Sequence, residues 1–316
     1  MSNINFTKIR PLRHNGTIGV FCSSGPLAKD RVDLGINNIE KLGYKVKLPL
    51  DPSEFYGRYD HSFFAGSIQQ RVDSVHTLLD DPDVDVLIAA RGAYGTQEIL
   101  PLLDYKKIKK SQKAIVGMSD ITTLLVAANS LSEIVTIHGA TFGSSFADYQ
   151  NDSEAKTSVD SLLKLLTDKS DRFNCPLRSL RKGECKGRII SGNLTLLTAM
   201  LGTDTDLNYN GAILVLEDVG EKPFQVQRNL LHLKSANKLD SLAGLVFGRF
   251  VKCEAANGPS VEEAIEYFIK IHLADTSYPI YKDIPVGHFG LNMPLPLGCL
   301  AEIRNDNFTM LESPLM

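Results

Sequence analysis

The sequence predicts an α/β protein: an N-terminal doubly wound, mainly parallel sheet of the Rossmann or flavodoxin kind, followed by a smaller C-terminal mixed α/β domain. Three observations lead there. Short apolar runs alternate with amphipathic stretches of helical period through the first half. A polar, irregular region interrupts the pattern between about Tyr149 and Gly187. A second set of strand-like and helix-like stretches then closes on an Asn305-Asp306-Asn307 turn.

In chain order, "TIGVFCSS" (Thr17 to Ser24) reads as a short buried strand. "DRVDLGINNIEKLGY" carries Val32, Ile36, Ile39 and Leu42 at helical spacing, and "KVKLPL" follows as a strand. "SIQQRVDSVHTLLDD" is a helix with Ile68, Val72, Val75 and Leu79 on one face. It leads into the apolar run "VDVLIAA" and the turn "RGAYG". A further helix, strand "AIVGM", helix "ITTLLVAAN" and strand "EIVTIHG" complete the first series. The second series comprises a helix around "GNLTLLTAMLG", strand "GAILVLEDV", helix "PFQVQRNLLHLKSAN", strand "LAGLVFGRF", helix "VEEAIEYFIKIHL" and a closing hairpin. The expected units are residues 1–155, a linker region at 156–186 containing the helical piece "VDSLLKLL", and residues 187–316. No internal repeat or low-complexity tract is present.

With 316 residues, 43% of them hydrophobic, the chain exceeds what one compact domain usually holds. Its 34 basic and 37 acidic residues are spread along the chain for a formal charge of −3, so no basic stripe suits nucleic acid or anionic lipid. A small molecule is the expected partner. The N-terminus lacks the apolar core of a signal peptide and no segment reads as a membrane span. Cys22, Cys175, Cys185, Cys253 and Cys299 are odd in number and scattered without a C-x-x-C pair. Both features suit reduced thiols in the cytoplasm.

Several chemistries find no motif. The first strand ends in "SSGP" instead of G-x-G-x-x-G, and there is no Walker sequence. "DTDLNYN" departs from a calcium loop at Tyr209 and Val215, and reads as a turn. No His/Cys cluster suggests zinc, so no cofactor or metal is expected.

What remains is a set of polar residues where strands end, the region in which open α/β sheets bind ligands. Ser119 closes an apolar run and opens a helix, a place that suits both a helix cap and a nucleophile, since helix N–H groups there would stabilise an oxyanion forming on a bound carbonyl. Glu217-Asp218 emerge from the run "AILVL", either as a solvated strand end or to orient a base. Among seven histidines, His288 in "VGHFGLN" and His138 in "TIHGATFG" stand in eligible contexts. Arg91 leaves its strand in the turn Arg91-Gly92-Ala93-Tyr94-Gly95, to brace that turn or to bind an anion.

Together, "SSGP", the stretch Arg71 to Tyr105, "VGMSDIT", "HGATFG", "SGNLTLL", "LEDVGE" and "GHFGLN" resemble the serine peptidases that include the L,D-carboxypeptidases of peptidoglycan recycling and the related microcin C self-immunity peptidases. The resemblance implies a Ser-Glu-His triad, carried by motif onto Ser119, Glu217 and His288, which favours His288 over His138. It also implies a homodimer, and with Ser119 as the nucleophile the amides of Asp120 and of the Gly92-Ala93 turn are the candidates for the oxyanion site. The implied reaction is release of terminal D-alanine from a murein tetrapeptide. The alternatives are cleavage of an aminoacyl-nucleotide, or muropeptide binding without catalysis. The chain departs from the family's usual R-G-G-Y-G at Ala93. It also contains no tryptophan, and "CPLRSLRKGECKG" has no aromatic residue to stack on a nucleobase.

Overall fold

A computed structural model of the chain describes residues 5–49, 63–288 and 290–316. The first half supplies strands β1 (Thr17–Phe21), β2 (Lys45–Lys47), β3 (Val84–Ala89), β4 (Ala114–Gly117) and β5 (Thr136–His138). Between them run helices α1 (Lys29–Lys41), α2 (Ile68–Asp80), α3 (Thr96–Ile99), α4 (Tyr105–Ser111) and α5 (Thr122–Ser132). The strand read over "KVKLPL" ends at Lys47, and its Leu50 lies outside the described residues. Strands β3 and β4 are almost wholly buried, as expected where helices cover both faces of a parallel sheet.

Local chemistry explains the helix boundaries. Ser67 and Gln70 form a reciprocal capping box at the start of α2. The buried face of α2 takes in Arg71, Val72, Ser74, Val75, Leu78 and Leu79, whereas Ile68 is 45% exposed. The helix expected after "RGAYG" is broken in two. Pro101 allows only a 3-10 turn at Leu100–Leu102, and Asp104 then caps α4 by accepting from Lys107 N at 3.0 Å.

The rest of the chain forms α6 (Ser153–Thr167), β6 (Asn174–Pro176), β7 (Arg178–Arg181), β8 (Cys185–Asn193), α7 (Leu194–Ala199), β9 (Ala212–Val219), α8 (Pro223–Ser235), β10 (Gly244–Val251), α9 (Val261–His272), β11 (Ile280–Lys282), β12 (Leu295–Leu297), β13 (Leu300–Arg304) and β14 (Asn307–Met310). Among the described residues the first sheet has the order β12-β5-β4-β3-β1-β2, with all pairs parallel except β12–β5. The second has the order β6-β14-β13-β8-β9-β10-β11-β7, with a parallel centre from β8 to β11.

Two features differ from the organisation read in the sequence. Residues 156–186 are structured: they hold most of α6, and β6 and β7 take the outer edges of the second sheet. Such short, polar edge strands carry no apolar alternation to mark them. Strand β12 leaves the second half to join the first sheet beside β5. The two halves also meet where β8 ends, since Asn193 N donates to Oγ1 of Thr122, the first residue of α5, at 3.2 Å. Gly192 permits that approach, because a Cβ there would stand 2.4 Å from Thr122 Cγ2. Four of the thiols are buried, Cys185 is half-buried, and none forms a disulfide. Among the described residues no helix is long and apolar enough to cross a membrane.

Candidate active site

Strand β4 delivers Ser119 through a sharp turn. Met118 is extended (φ −152°, ψ −178°), and Ser119 then adopts φ +62° before a 3-10 turn at Ser119–Ile121 runs into α5. A left-handed serine between strand and helix is strained backbone of the kind that collects at functional sites. Capping does not account for it: neither helical segment has a side-chain cap bond, and a cap residue takes extended backbone. Gly92 packs directly against this turn. A Cβ there would lie 2.7 Å from Ser119 Cβ, 2.9 Å from its Oγ and 3.2 Å from the Asp120 amide nitrogen.

The Asp120 side chain acts away from the cavity. It is 2% exposed, and its Oδ2 accepts from Ser24 Oγ (2.7 Å) and Thr96 N (2.8 Å), which ties the "SSGP" and "RGAYG" turns to the serine turn. Arg71, also buried, strengthens that tie. Its Nη1 donates to the carbonyls of Ser23 and Gly95, and its Nη2 to Glu98.

Ala93 has φ +99°, a region that glycine enters freely and alanine does not. The departure from the family's glycine therefore places strain next to Gly92. Ala93→Gly is expected to raise stability by about 1 kcal/mol, the relief of strain outweighing the added freedom of the unfolded chain. A denaturant titration checks this, and an unchanged or lower midpoint contradicts it.

His288 Nδ1 stands 2.6 Å from Glu217 Oε2, and the carboxylate is wholly buried. Glycines let the backbone close around this pair. A Cβ at Gly287 would lie 3.3 Å, and one at Gly248 3.5 Å, from Glu217 Cβ. Phe289 of the same motif lies outside the described residues. Asp218, next to Glu217, serves a different purpose. It accepts from Asn193 Nδ2, from Thr195 N and Oγ1 and from Val219 N, fixing the entry to α7, while burial pushes its carboxyl up to about 6. Neither carboxylate is a solvated strand end.

His138 is wholly buried, and burial pulls its imidazole down to about 4; Glu217 opposes the shift and His288 adds to it. A base that stays neutral inside the fold but protonates near 6.5 when unfolded weakens the fold as pH falls between 6.5 and about 4. From pH 7 to pH 5 this amounts to about 2 kcal/mol. Denaturant titrations at the two pH values should show a smaller difference in His138→Gln than in the wild type, and equal differences refute the assignment.

Ser119, His288, Arg91, Gly92, Ala93 and Asn292 line one cavity of about 430 Å³. Glu217 stands behind His288, so residues from both halves of the chain converge there. Arg91 donates to the Pro26 carbonyl at 3.0 Å, and among the described residues no carboxylate pairs with it. The lining also carries an Arg31–Asp148 ion pair at 2.7 Å. Arg71 and Asn292 have no role in the sequence reading, and Asp218 figures there only as the partner of Glu217. For Arg71 a signal exists, since it lies one turn before Val75 on the apolar side of its helix.

The model of the LD-carboxypeptidase N-terminal domain matches residues 18–139, and that of the C-terminal domain matches residues 186–303. The chain belongs to the LD-carboxypeptidase family. It is 31% identical over 97% of its length to a putative carboxypeptidase of Synechocystis sp., covering 97% of that protein. It is 28% identical to a probable murein peptide carboxypeptidase of Bacillus subtilis, covering 94% of this chain and 91% of that one. Among solved structures, the microcin C7 self immunity protein MccF, in an inactive mutant apo state, superposes with a TM-score of 0.86 at 25% identity, over 98% of this chain and 100% of the other. As a member of the LD-carboxypeptidases the chain is a peptidase. Ser119 falls in the part matched by the N-terminal LD-carboxypeptidase domain, and Glu217 and His288 fall in the C-terminal one.

Proposed function

We propose that this chain is a serine-type L,D-carboxypeptidase that releases terminal D-alanine from murein tetrapeptides in the cytoplasm, through an acyl-enzyme on Ser119, and that it works as a homodimer. The observation that carries the reading is the His288–Glu217 pair at 2.6 Å on the wall of the cavity that also holds the strained Ser119 turn. Glu217 accepts from His288 Nδ1–H and so fixes the tautomer in which Nε2 is the base. Nε2 takes the proton of Ser119 Oγ as the oxygen attacks the scissile carbonyl. The amides of Asp120 and of the Gly92-Ala93 turn, packed against the serine, stabilise the oxyanion. The imidazolium, stabilised by Glu217, then protonates the departing amine of D-alanine. A water gives a proton to Nε2 as its oxygen attacks the ester, and Nε2 then passes that proton to Ser119 Oγ as the shortened peptide departs.

Arg91 recognises the terminal carboxylate of the substrate. Its guanidinium is held by one carbonyl at the cavity wall, with further N–H groups left to bind an anion. Kinetics with a tetrapeptide and its C-terminal amide test this: kcat/KM is expected to fall for the amide by about tenfold to a hundredfold, the worth of a charge-assisted hydrogen bond, and Arg91→Ala should abolish the difference. Equal kcat/KM for both peptides in the wild type refutes carboxylate recognition. The likeness to MccF supports a second reading, hydrolysis of an aminoacyl-nucleotide. Faster cleavage of an aminoacyl adenylate than of the tetrapeptide would favour it.

A further inference from the structure

We infer that Asn292 is a positioning residue that sets the separation of Ser119 and His288; the inference rests on the serine mechanism proposed above. These two residues come from different halves of the chain, and general-base catalysis needs their reacting atoms about 2.6–3.2 Å apart. One side-chain amide touches the residue just before each of them, its backbone at the histidine end and its side chain at the serine end. Asn292 Oδ1 accepts from Gly287 N at 3.1 Å, and Nδ2 donates to Met118 Sδ at 3.2 Å. Gly287 precedes His288 and Met118 precedes Ser119. The donor at Gly287 fixes which way the amide faces, because only oxygen can accept there.

Asn292 is itself firmly held. Its N donates to Ser158 Oγ at 2.9 Å, and that hydroxyl donates to the Glu154 carbonyl at 2.8 Å, anchoring Asn292 to α6. It is only 3% exposed, so turning the amide away would leave a buried N–H without its acceptor. The amide is thus bonded to the backbone of the His288 turn at one end, seated on the buried Met118 sulfur of the Ser119 turn at the other, and anchored from behind by α6. Gly287 also lies close to Glu217, so the clip governs the loop that seats the histidine on its carboxylate.

The test reads serine activation without a peptide substrate, as the rate at which a small fluorophosphonate labels Ser119, followed by intact-mass spectrometry. Tetrapeptide kcat and KM are measured alongside. Asn292→Ala is expected to slow labelling and lower kcat by at least about tenfold with KM nearly unchanged, since positioning acts on the transition state and leaves ground-state binding intact. Met118→Leu keeps the packing but removes the sulfur acceptor, and is expected to give a smaller loss. It also serves as the readout if Asn292→Ala does not fold by circular dichroism. The double variant should be no slower than Asn292→Ala alone, because both changes break one shared contact. Wild-type labelling rates in folded Asn292→Ala, or in Met118→Leu where that variant serves instead, overturn the clip, as do multiplicative losses in the double variant. A wild type that is labelled at Ser119 yet releases no D-alanine counts against the substrate reading alone. A wild type that is not labelled overturns the serine mechanism and the clip with it.

Discussion

Ser119→Ala is expected to abolish hydrolysis and leave the fold standing. Loss of a triad serine typically lowers turnover by about a million-fold. The stability cost should stay below the roughly 1 kcal/mol of a lost helix cap, since the Ser119 hydroxyl makes no cap bond. Tetrapeptide turnover and a thermal melt of the same sample measure both. Retained turnover would end the nucleophile assignment, and retained turnover with a lowered melting temperature would return Ser119 to a structural role.

His288→Ala should match that loss, and Glu217→Gln should cost about ten-thousand-fold, the effect of presenting the base in the wrong tautomer. The amide of a glutamine would offer Nδ1 a donor where the histidine needs an acceptor, turning the proton onto Nε2 and silencing the base. The double variant Ser119→Ala, His288→Ala should be no slower than either single one, because the two act as a unit. His138→Gln, altering a buried ring outside the cavity lining, should retain most of the activity. Equal losses at His138 with none at His288 would reverse the choice between the two histidines.

Much of this architecture is legible in the sequence because burial on both faces forces strands such as Val84–Ala89 and Ala114–Gly117 to be apolar runs, broken in the first only by the half-buried Asp85, while the helices between them keep a polar side. What escapes is governed by contacts distant in sequence. Strands Asn174–Pro176, Arg178–Arg181 and Leu295–Leu297 are too short and too lightly patterned to declare themselves, and Pro296 fits only because its strand lies at a sheet edge. The convergence of Ser119 and His288 on one cavity is likewise invisible to spacing, and the family motifs are what link them. Asn292 reads as an ordinary polar residue until the structure shows it buried with its partners, and spacing cannot divide the Glu217-Asp218 pair, whose members turn out to have different partners. The conformation of Ala93 is the reverse case, because the sequence marks the missing glycine and only the backbone reveals its strain.

The crossing of Leu295–Leu297 into the first sheet bears on how the chain is made. During synthesis the half with the first sheet precedes the other, and its strand Thr136–His138 waits with one row of N–H and C=O groups open until Leu295–Leu297 has left the ribosome. Until then the nascent sheet offers an unguarded template for pairing with another chain, beside the serine turn. The strand that closes this edge follows shortly after the loop bearing His288. Completion of the barrier against misassembly and arrival of His288, the general base proposed above, are thus nearly simultaneous events.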